Sequence, residues 1–539
     1  MIEKFLSSRI THYALLIAFL SFGQMVFVLP EGADTYFVMN LGRYILEQGF
    51  PHVDPFTIHE NLQLVAQQWL SGVIFWEAYK NFGVDGLRLV DIILGTASVL
   101  IYWRLCLFVS GGNKILSFAL SLIVCLVVTP VIVPRPQIFS AVFFLIEVFL
   151  LEKFTRTQDA RFLLPLPLIS VALINFHAAV WVMSLVLCLP FLFVKNSRHI
   201  KFLLAAMAGI FFFGLINPYG IEAMTYVLHS YGVKIINSNV REMFTPTAHT
   251  LEGKIFYLTE ALLIFSLTKF KAPWRYIFLS GGITFMALMH ERNLILFYFL
   301  ATIPAAYVWR DFSLEKLREN RKALTILFFL FVAANTVMVT TLLQDSLEGV
   351  PAPLKILFFA TMLFMLYNLL ILKVDGRIFH PQILPKKISS LTFTLIIVSG
   401  IFFATLINTR TEPPQPYTDA IKFLLRTERP ENISLYVEQN IGGLAGMFDI
   451  KYYIDSRSEV FLPANNNRKN ILAEYLDFTT GKLYYKDFFA RYDFTHIILT
   501  NSKPFTYNQL SDDKNFRVIY ESERVEGYEV IRCKIFRKD

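Results

Sequence analysis

The chain has 539 residues, of which 55% are hydrophobic and 15% aromatic, and its mean hydropathy is +0.49. Soluble domains are roughly 45–50% apolar, so this composition excludes a single water-soluble core and is typical of a polytopic helical membrane protein. The net charge of +8 does not indicate nucleic-acid binding, because much of the excess Lys and Arg lies in short loops between apolar runs. Four cysteines show neither a disulfide framework nor metal-ligand spacing.

The apolar runs predict thirteen membrane spans. The first is interpreted as an uncleaved anchor rather than a signal peptide, because it lacks a small-x-small cleavage site. Runs 162–176 and 201–216 are shorter than the roughly 20 residues of a straight crossing, so we expect tilted, re-entrant or broken helices there. The thirteen spans lie at residues 11–30, 86–110, 114–133, 136–154, 162–176, 177–194, 201–216, 254–268, 273–289, 293–309, 322–344, 352–373 and 389–408.

The charges between these spans predict the orientation. With a cytoplasmic N-terminus every inner loop is basic, as the positive-inside rule requires. An odd number of spans then places residues 409–539 outside, together with a long first outer loop at 31–85. The outer loops carry few cations and many acids, namely Glu31, Asp34, Glu47, Asp54, Glu60, Glu77, Asp85, Glu222, Glu242 and Glu252.

The first outer loop contains two candidate catalytic carboxylates. Residues 34–48 and 66–82 have apolar side chains at helical spacing, which predicts helices that lie along the membrane interface. Asp34 follows the first span directly, and a carboxylate at the mouth of a helix bundle can act as a base on a lipid-borne substrate. A helix cap or a solvated loop residue is the alternative. Asp54 lies in the turn Pro51-His-Val-Asp-Pro-Phe-Thr57.

Further polar residues lie at other outer turns. Arg135 and Arg292 are either interfacial anchors or ligands of an anionic phosphate. His177 and His290 are either buried, hydrogen-bonded side chains or proton-transfer groups. The role of Glu242 stays open.

Composition changes after Asn408, where a Pro-rich linker precedes a predicted α/β domain of roughly 120 residues. We expect the segment Tyr453–Glu459 to be a locally salt-bridged turn, with a functional site as the alternative. Gly442, Gly443 and Gly446 follow no nucleotide-binding pattern. Strands are predicted at 433–437, 494–500, 516–520 and 528–536, and helices at 419–426 and 470–478.

These motifs, in this order, resemble the membrane glycosyltransferases of the GT-C fold, and more narrowly a bacterial branch that uses polyprenyl-phosphate-linked sugars. The resemblance spans most of the chain. Its pieces are Asp34 with Leu41-Gly-Arg43 and Gly49-Phe-Pro51, Asp54-Pro-Phe-Thr57, Gln68-Trp-Leu70, Arg135-Pro-Gln137, Asn175-Phe-His177, Asn217-Pro-Tyr-Gly220, Glu242, Glu291-Arg-Asn293 and Ile454-Asp-Ser-Arg-Ser-Glu459.

The resemblance implies a GT-C-like transmembrane domain of about 13 helices at 1–408 and an extracytoplasmic α/β domain at 409–539, in a bacterial cytoplasmic membrane. It implies an inverting glycosyltransferase that moves a sugar from a polyprenyl-phosphate donor to a glycan, lipid or protein. Asp34 would be the general base, and Asp54 would orient the acceptor or hold a divalent ion, Mg²⁺ or Mn²⁺. No cofactor is certain, and no metal ligand set is assigned. The substrate-binding residues would be Arg135, His177, Glu242, His290 and Arg292.

Three other functions remain open. A polymerase or ligase of lipid-linked oligosaccharides would share the outer arginines but require longer donors. A transporter of lipid-linked sugars would favour repeated halves, and no clear repeat is present in the sequence. A ligand sensor would leave the thirteen spans without a role.

Overall fold

The computed structural model describes residues 9–27, 32–194, 196–230, 232–313, 415–466, 469–526 and 529–538. Predicted spans 322–344, 352–373 and 389–408 lie outside the described residues, as does the predicted domain boundary at 408. The described part is mostly helical, and a sheet-containing domain forms its C-terminal end.

The helices of the first 313 residues follow the apolar runs. By length and composition, three helical segments of the described residues can cross a membrane, at Val84–Val109, Lys114–Val131 and Ala160–Val180. The count of thirteen spans therefore stays a prediction. The α-helices are Arg9–Phe27, Ala33–Gln48, Trp69–Phe82, Val84–Val109, Lys114–Val128, Gln137–Thr157, Leu166–His177, Met183–Cys188, Ser197–Phe213, Ile221–Ser230, Lys234–Asn239, Leu251–Lys269, Trp274–Met289, Leu294–Leu296 and Ile303–Val308.

Several predicted spans contain breaks in their α-helical geometry. The span at 293–309 consists of Leu294–Leu296, a π-helical stretch Phe297–Ala301 and the helix Ile303–Val308. Pro304 cannot donate a backbone hydrogen bond, which favours such a change of helical register. The helix Leu166–His177 gives way to a 3₁₀ turn, Ala178–Val180, before Met183–Cys188 begins.

Helices form in the first outer loop where the sequence predicts them, at Ala33–Gln48 and Trp69–Phe82. They approach each other closely at Gly42 and Gly72. A Cβ atom at Gly42 would lie 2.1 Å from the Gly72 carbonyl, so only glycine permits this contact. The loop between the two helices reaches the C-terminal domain through a parallel bridge from Thr57 to Tyr452.

The C-terminal domain is a five-stranded sheet in the order β2-β1-β3-β5-β4. β1 pairs in parallel with β2 and β3, and β5 pairs antiparallel with β3 and β4. All four predicted strands and both predicted helices form. The strands are β1 Ser434–Tyr436, β2 Lys451–Tyr452, β3 His496–Thr500, β4 Phe516–Glu526 and β5 Glu529–Lys538. The helices are Gln415–Thr427, Gln439–Gly446, Pro463–Asn466, Ile471–Thr479, Tyr485–Ala490 and Pro504–Asp512.

The helix Gln439–Gly446 packs against the helix that carries Asp34. The Asn40 side chain donates a 2.7 Å hydrogen bond to the Gly443 carbonyl, and Arg43 donates to the Gly446 carbonyl at 3.0 Å. A Cβ atom at Gly446 would lie 2.6 Å from Asn40 Nδ2, so this glycine allows the two helices to touch. Gly443 and Gly446 therefore lie where the C-terminal domain packs against the first outer loop.

Candidate functional site

A cavity of about 720 Å³ lies between the helical part and the C-terminal domain. Five of the seven residues predicted for the site line it: Asp34, Arg135, His177, Glu242 and Arg292. Its opposite wall belongs to the C-terminal domain, through the segments Gln439–Ile441 and Ser456–Glu459. We call this cavity the chamber.

Arg135 links two carboxylates of the chamber, those of Asp34 and Glu242. Its Nη2 atom lies 3.2 Å from Asp34 Oδ2, and its Nη1 atom donates to Glu242 Oε1. Burial alone would lower the pKa of Arg135, but the carboxylates of Asp34 and Glu242 outweigh that effect and raise it. Asp34 lies in the first turn of its helix, where the backbone dipole favours a negative charge.

A second cavity of about 350 Å³ adjoins the chamber. The two share Arg135, Gln137, Arg241, Glu242 and Arg292. Six of the fourteen residues that line the smaller cavity, which we call the apolar cavity, are aliphatic: Val131, Ile132, Val133, Ile138, Leu294 and Ile295. Glu252 and Glu291 also line it, and burial raises the pKa of Glu291 against the effect of Arg241.

The two predicted histidines have different environments. His177 is buried at the chamber wall, and its Nδ1 atom lies 2.9 Å from Ser140 Oγ. His290 lies outside the chamber lining, where its Nδ1 atom is 2.7 Å from the Met243 carbonyl. The neighbouring Glu291 amide donates to the Phe244 carbonyl at 2.9 Å. His290 therefore helps to hold the turn that carries Arg241 and Glu242.

Asp54 also lies outside the chamber lining, in a buried ion cluster with Arg457 and Asp455. Its Oδ1 atom accepts from Arg457 at 2.6 Å, and its Oδ2 atom accepts from the amide and hydroxyl of Thr57. Arg457 also binds both Asp455 oxygens, so the predicted salt-bridged turn is present. The same segment forms the chamber wall. A functional role for this segment stays a prediction.

The segment Tyr453–Glu459 contributes a further, half-buried carboxylate to the chamber. Tyr226 donates a 2.6 Å hydrogen bond to Glu459 Oε1, and both residues line the cavity. Burial raises the pKa of Glu459, although the Tyr226 hydroxyl and the positive charge of Arg457 oppose the shift. The prediction of site residues did not include Glu459, Tyr226 or Arg241. The compact sequence Asp-Ser-Arg-Ser-Glu was the signal that could have indicated Glu459.

Nothing in the described ranges groups three or more His, Cys, Asp or Glu side chains as ligands for an ion. The oxygens of Asp54 contact Arg457 and Thr57, and Asp34 pairs with Arg135. A divalent ion at the site stays a prediction.

Comparison with known proteins gives structural matches but no sequence match. No protein-family model matches the chain, and no curated protein matches it by sequence. The chain is similar to ArnT from Cupriavidus metallidurans, a structure solved with undecaprenyl phosphate bound, with a TM-score of 0.54 and 12% identity over 97% of this chain and 96% of that one. It is also similar to the apo oligosaccharyltransferase from Archaeoglobus fulgidus, with a TM-score of 0.51 and 11% identity over 91% of this chain and 70% of that one.

The structural matches establish the fold of this chain. At identities this low they leave its substrates undetermined. Both matches cover nearly the whole chain, so they include the helical part and the C-terminal domain together. The GT-C resemblance of the sequence is thereby confirmed at the level of the fold: this chain has the GT-C fold of membrane proteins.

Proposed function

We propose that the protein transfers a sugar from a polyprenyl-phosphate-linked donor to an acceptor hydroxyl in the chamber. The observation that carries this proposal is the Asp34–Arg135–Glu242 group, which lies where the polar chamber meets the apolar cavity. A base, cations for a leaving phosphate and an apolar wall for a lipid are the parts that this reaction needs. ArnT of the same fold binds undecaprenyl phosphate, which supports this class of donor.

In the proposed reaction Asp34 accepts the proton of the acceptor hydroxyl. The hydroxyl oxygen forms a bond to the anomeric carbon of the donor sugar while the bond from that carbon to the phosphate oxygen breaks. The electron pair leaves with the lipid phosphate. Attack opposite the leaving group inverts the anomeric configuration, and one carboxylate base is sufficient for it.

The arginines would stabilise the leaving phosphate. A phosphate at the junction of the two cavities would replace Glu242 as a partner of Arg135 and come near Arg241 and Arg292, which line both cavities. Guanidinium groups bind phosphate oxygens in a fork geometry that suits the developing charge. The first isoprene units of the donor would lie against Ile132 and Ile295 in the apolar cavity.

The other predicted residues have supporting roles in this proposal. His177 would contact substrate from the chamber wall. His290 would position the turn of Arg241 and Glu242 through the Met243 carbonyl. Asp54 would position the acceptor wall through Arg457, because both of its oxygens already have partners.

The same proposal includes the orientation of the chain in a bacterial cytoplasmic membrane. Asp34, Arg135, Glu242 and Arg292 all lie on the outer side in the charge-based topology, and they meet around one cavity with the C-terminal domain. This agreement supports an extracytoplasmic chamber, a cytoplasmic N-terminus and an acceptor that is a surface glycan, lipid or protein.

The experiment compares three strains that lack the chromosomal gene. One carries the wild-type protein, one the Asp34→Asn variant and one the Asp85→Asn variant. Asp85 is a matched control, because its side chain is 84% exposed and it lies in the same outer loop. Mass spectrometry of surface glycans and lipid-linked sugars should show transfer with wild type and Asp85→Asn. The Asp34→Asn strain should accumulate the lipid-linked sugar while the variant stays inserted. Full transfer with Asp34→Asn would overturn the assignment of the base.

A further inference from the structure

The C-terminal domain contains a separate crevice at the carboxyl ends of β1 and β3. Its volume is about 120 Å³. The side chains that line it belong to the two strands, to the segments that follow them or to the helix Ile471–Thr479, and they include Glu438, Ser502, Lys503, Phe505 and Phe478. None of these residues lines the chamber.

The topology of the sheet makes this position a natural binding site. β1 and β3 are adjacent and parallel. The chain leaves β1 toward β2 on one side, and it leaves β3 toward β4 and β5 on the other. In open α/β sheets, ligands bind outside the carboxyl ends of strands where the strand order reverses in this way. The crevice of the C-terminal domain lies at that point.

A chain of hydrogen bonds orients the polar side of the crevice. Tyr417 OH lies 3.1 Å from Thr500 Oγ1, which lies 2.6 Å from Ser502 Oγ. Ser502 donates in turn to Glu438 Oε1 at 3.3 Å. Of this connected set, the Glu438 carboxylate and the Ser502 hydroxyl line the crevice, so both groups are oriented before a ligand arrives.

The other side of the crevice is aromatic. Phe505 is 65% exposed, although it lies in a domain whose other aromatic side chains are mostly buried. An exposed ring beside oriented hydroxyl and carboxylate groups suits a ligand with an apolar C–H face and polar hydroxyl edges. The charged lining residues are Glu438 and Lys503, whose formal charges cancel, so the crevice suits a neutral ligand better than a phosphate. A neutral pyranose has both required surfaces.

Two consecutive residues line the crevice and the chamber. Glu438 lines the crevice, and the next residue, Gln439, lines the chamber. The side-chain amide of Gln439 donates to Ser458 Oγ at 3.0 Å. We propose that this crevice binds a neutral pyranose unit of a glycan chain. As an extension that rests on the proposed transfer function, the unit belongs to the acceptor whose reacting end lies in the chamber.

The binding itself can be tested without transfer. The purified full-length protein in detergent is mixed with methyl glycosides of glucose, galactose, mannose and N-acetylglucosamine, and saturation-transfer NMR reports bound sugar protons. Wild type should give saturation transfer to at least one glycoside, and inorganic phosphate should leave it unchanged. Phe505→Ala should weaken the binding about fivefold, since it removes the aromatic contact. Glu438→Gln, which preserves the size of the side chain, should also weaken it.

Tyr484→Ala is the matched control, because Tyr484 is a half-exposed aromatic residue of the same domain outside the crevice. It should bind the glycosides like wild type. Asp34→Asn should bind the glycosides too, because Asp34 lies outside the crevice. Glycoside binding therefore tests the crevice separately from the proposed transfer reaction. Thermal unfolding checks that each variant is folded. Absence of saturation transfer in wild type, equal binding by folded Phe505→Ala, or displacement by phosphate would overturn the proposal.

Discussion

Arg135 Nη2 lies 3.2 Å from Asp34 Oδ2, so the proposed base forms an ion pair with an arginine that is proposed to bind the donor phosphate. The same guanidinium group contacts Glu242 through its other terminal nitrogen. A single cation therefore positions two carboxylates from different segments of the chain.

Replacement of Arg135 should reduce transfer without loss of the fold. In Arg135→Gln the carboxylates of Asp34 and Glu242 lose the cation that pairs with both, and the phosphate loses a ligand. We expect turnover to fall at least about tenfold. Arg135→Lys should recover only part of it, because the ammonium group cannot contact both carboxylates with a fixed fork. Initial rates with the natural donor measure this; equal rates for Arg135→Gln and wild type would contradict it.

Donor binding should depend on Arg292, which lines both cavities. Arg292→Gln should weaken the binding of undecaprenyl phosphate by roughly 10- to 100-fold, the usual effect of losing a charge-assisted hydrogen bond. The measurement is the rise in melting temperature with added undecaprenyl phosphate. Arg310→Gln is the control, since Arg310 is exposed and lies outside both cavities. An unchanged stabilisation of Arg292→Gln would contradict the assignment.

Loss of Arg457 should destabilise the protein. Arg457→Gln leaves the buried carboxylates of Asp54 and Asp455 without their shared cation. Breaking a buried ion pair in this way costs about 3–5 kcal/mol. The double variant Arg457→Gln with Asp54→Asn should recover part of the loss, which denaturant unfolding measures. Glu523→Gln, in an exposed pair with Arg532, should cost less than about 1 kcal/mol. Additive effects of Arg457 and Asp54 would argue against their coupling.

Gly446→Ala should loosen the contact between the C-terminal domain and the first outer loop. The new Cβ atom would lie 2.6 Å from Asn40 Nδ2 and 3.0 Å from the Tyr452 ring. Overpacking of this kind costs roughly 1–3 kcal/mol. We expect faster limited proteolysis of the C-terminal domain. Gly281→Ala, where no atom lies within 4 Å, should not change the proteolysis rate. The same digestion rate in both variants would disprove this packing role.

The contact between the first outer loop and the C-terminal domain should weaken below about pH 6.5. His59 lies 2.8 Å from the Tyr453 carbonyl, and burial lowers the pKa of His59 below 6.5, although Tyr453 and Asp54 oppose the shift. The unfolded chain then binds a proton more readily than the folded one. Stability is complete above pH 6.5 and falls as the pH drops toward the lowered value. Melting temperatures at several pH values should fall less steeply for His59→Gln; parallel curves would refute the role of His59.

Local sequence patterns were sufficient to predict much of the secondary structure and several residues that line the chamber. The predicted strands and helices of the C-terminal domain form, because alternating apolar residues and helical spacing are local properties. Asp34, Arg135, His177, Glu242 and Arg292 come together around one cavity. The ion pair of Asp54 with Arg457 could not be predicted, since the two residues are 403 positions apart and a single sequence carries no sign of that contact.

The amino-acid sequence by itself determined that this is a helical membrane-type chain with an α/β domain at its end, because composition and periodicity reflect burial in lipid and in a sheet core. The tertiary structure alone decided that the C-terminal domain forms a wall of the chamber. Gly443, Gly446 and the buried Arg457 make that arrangement possible, through close packing of two helices and an ion pair excluded from water. Such contacts join distant segments, and they exist only once the chain has folded.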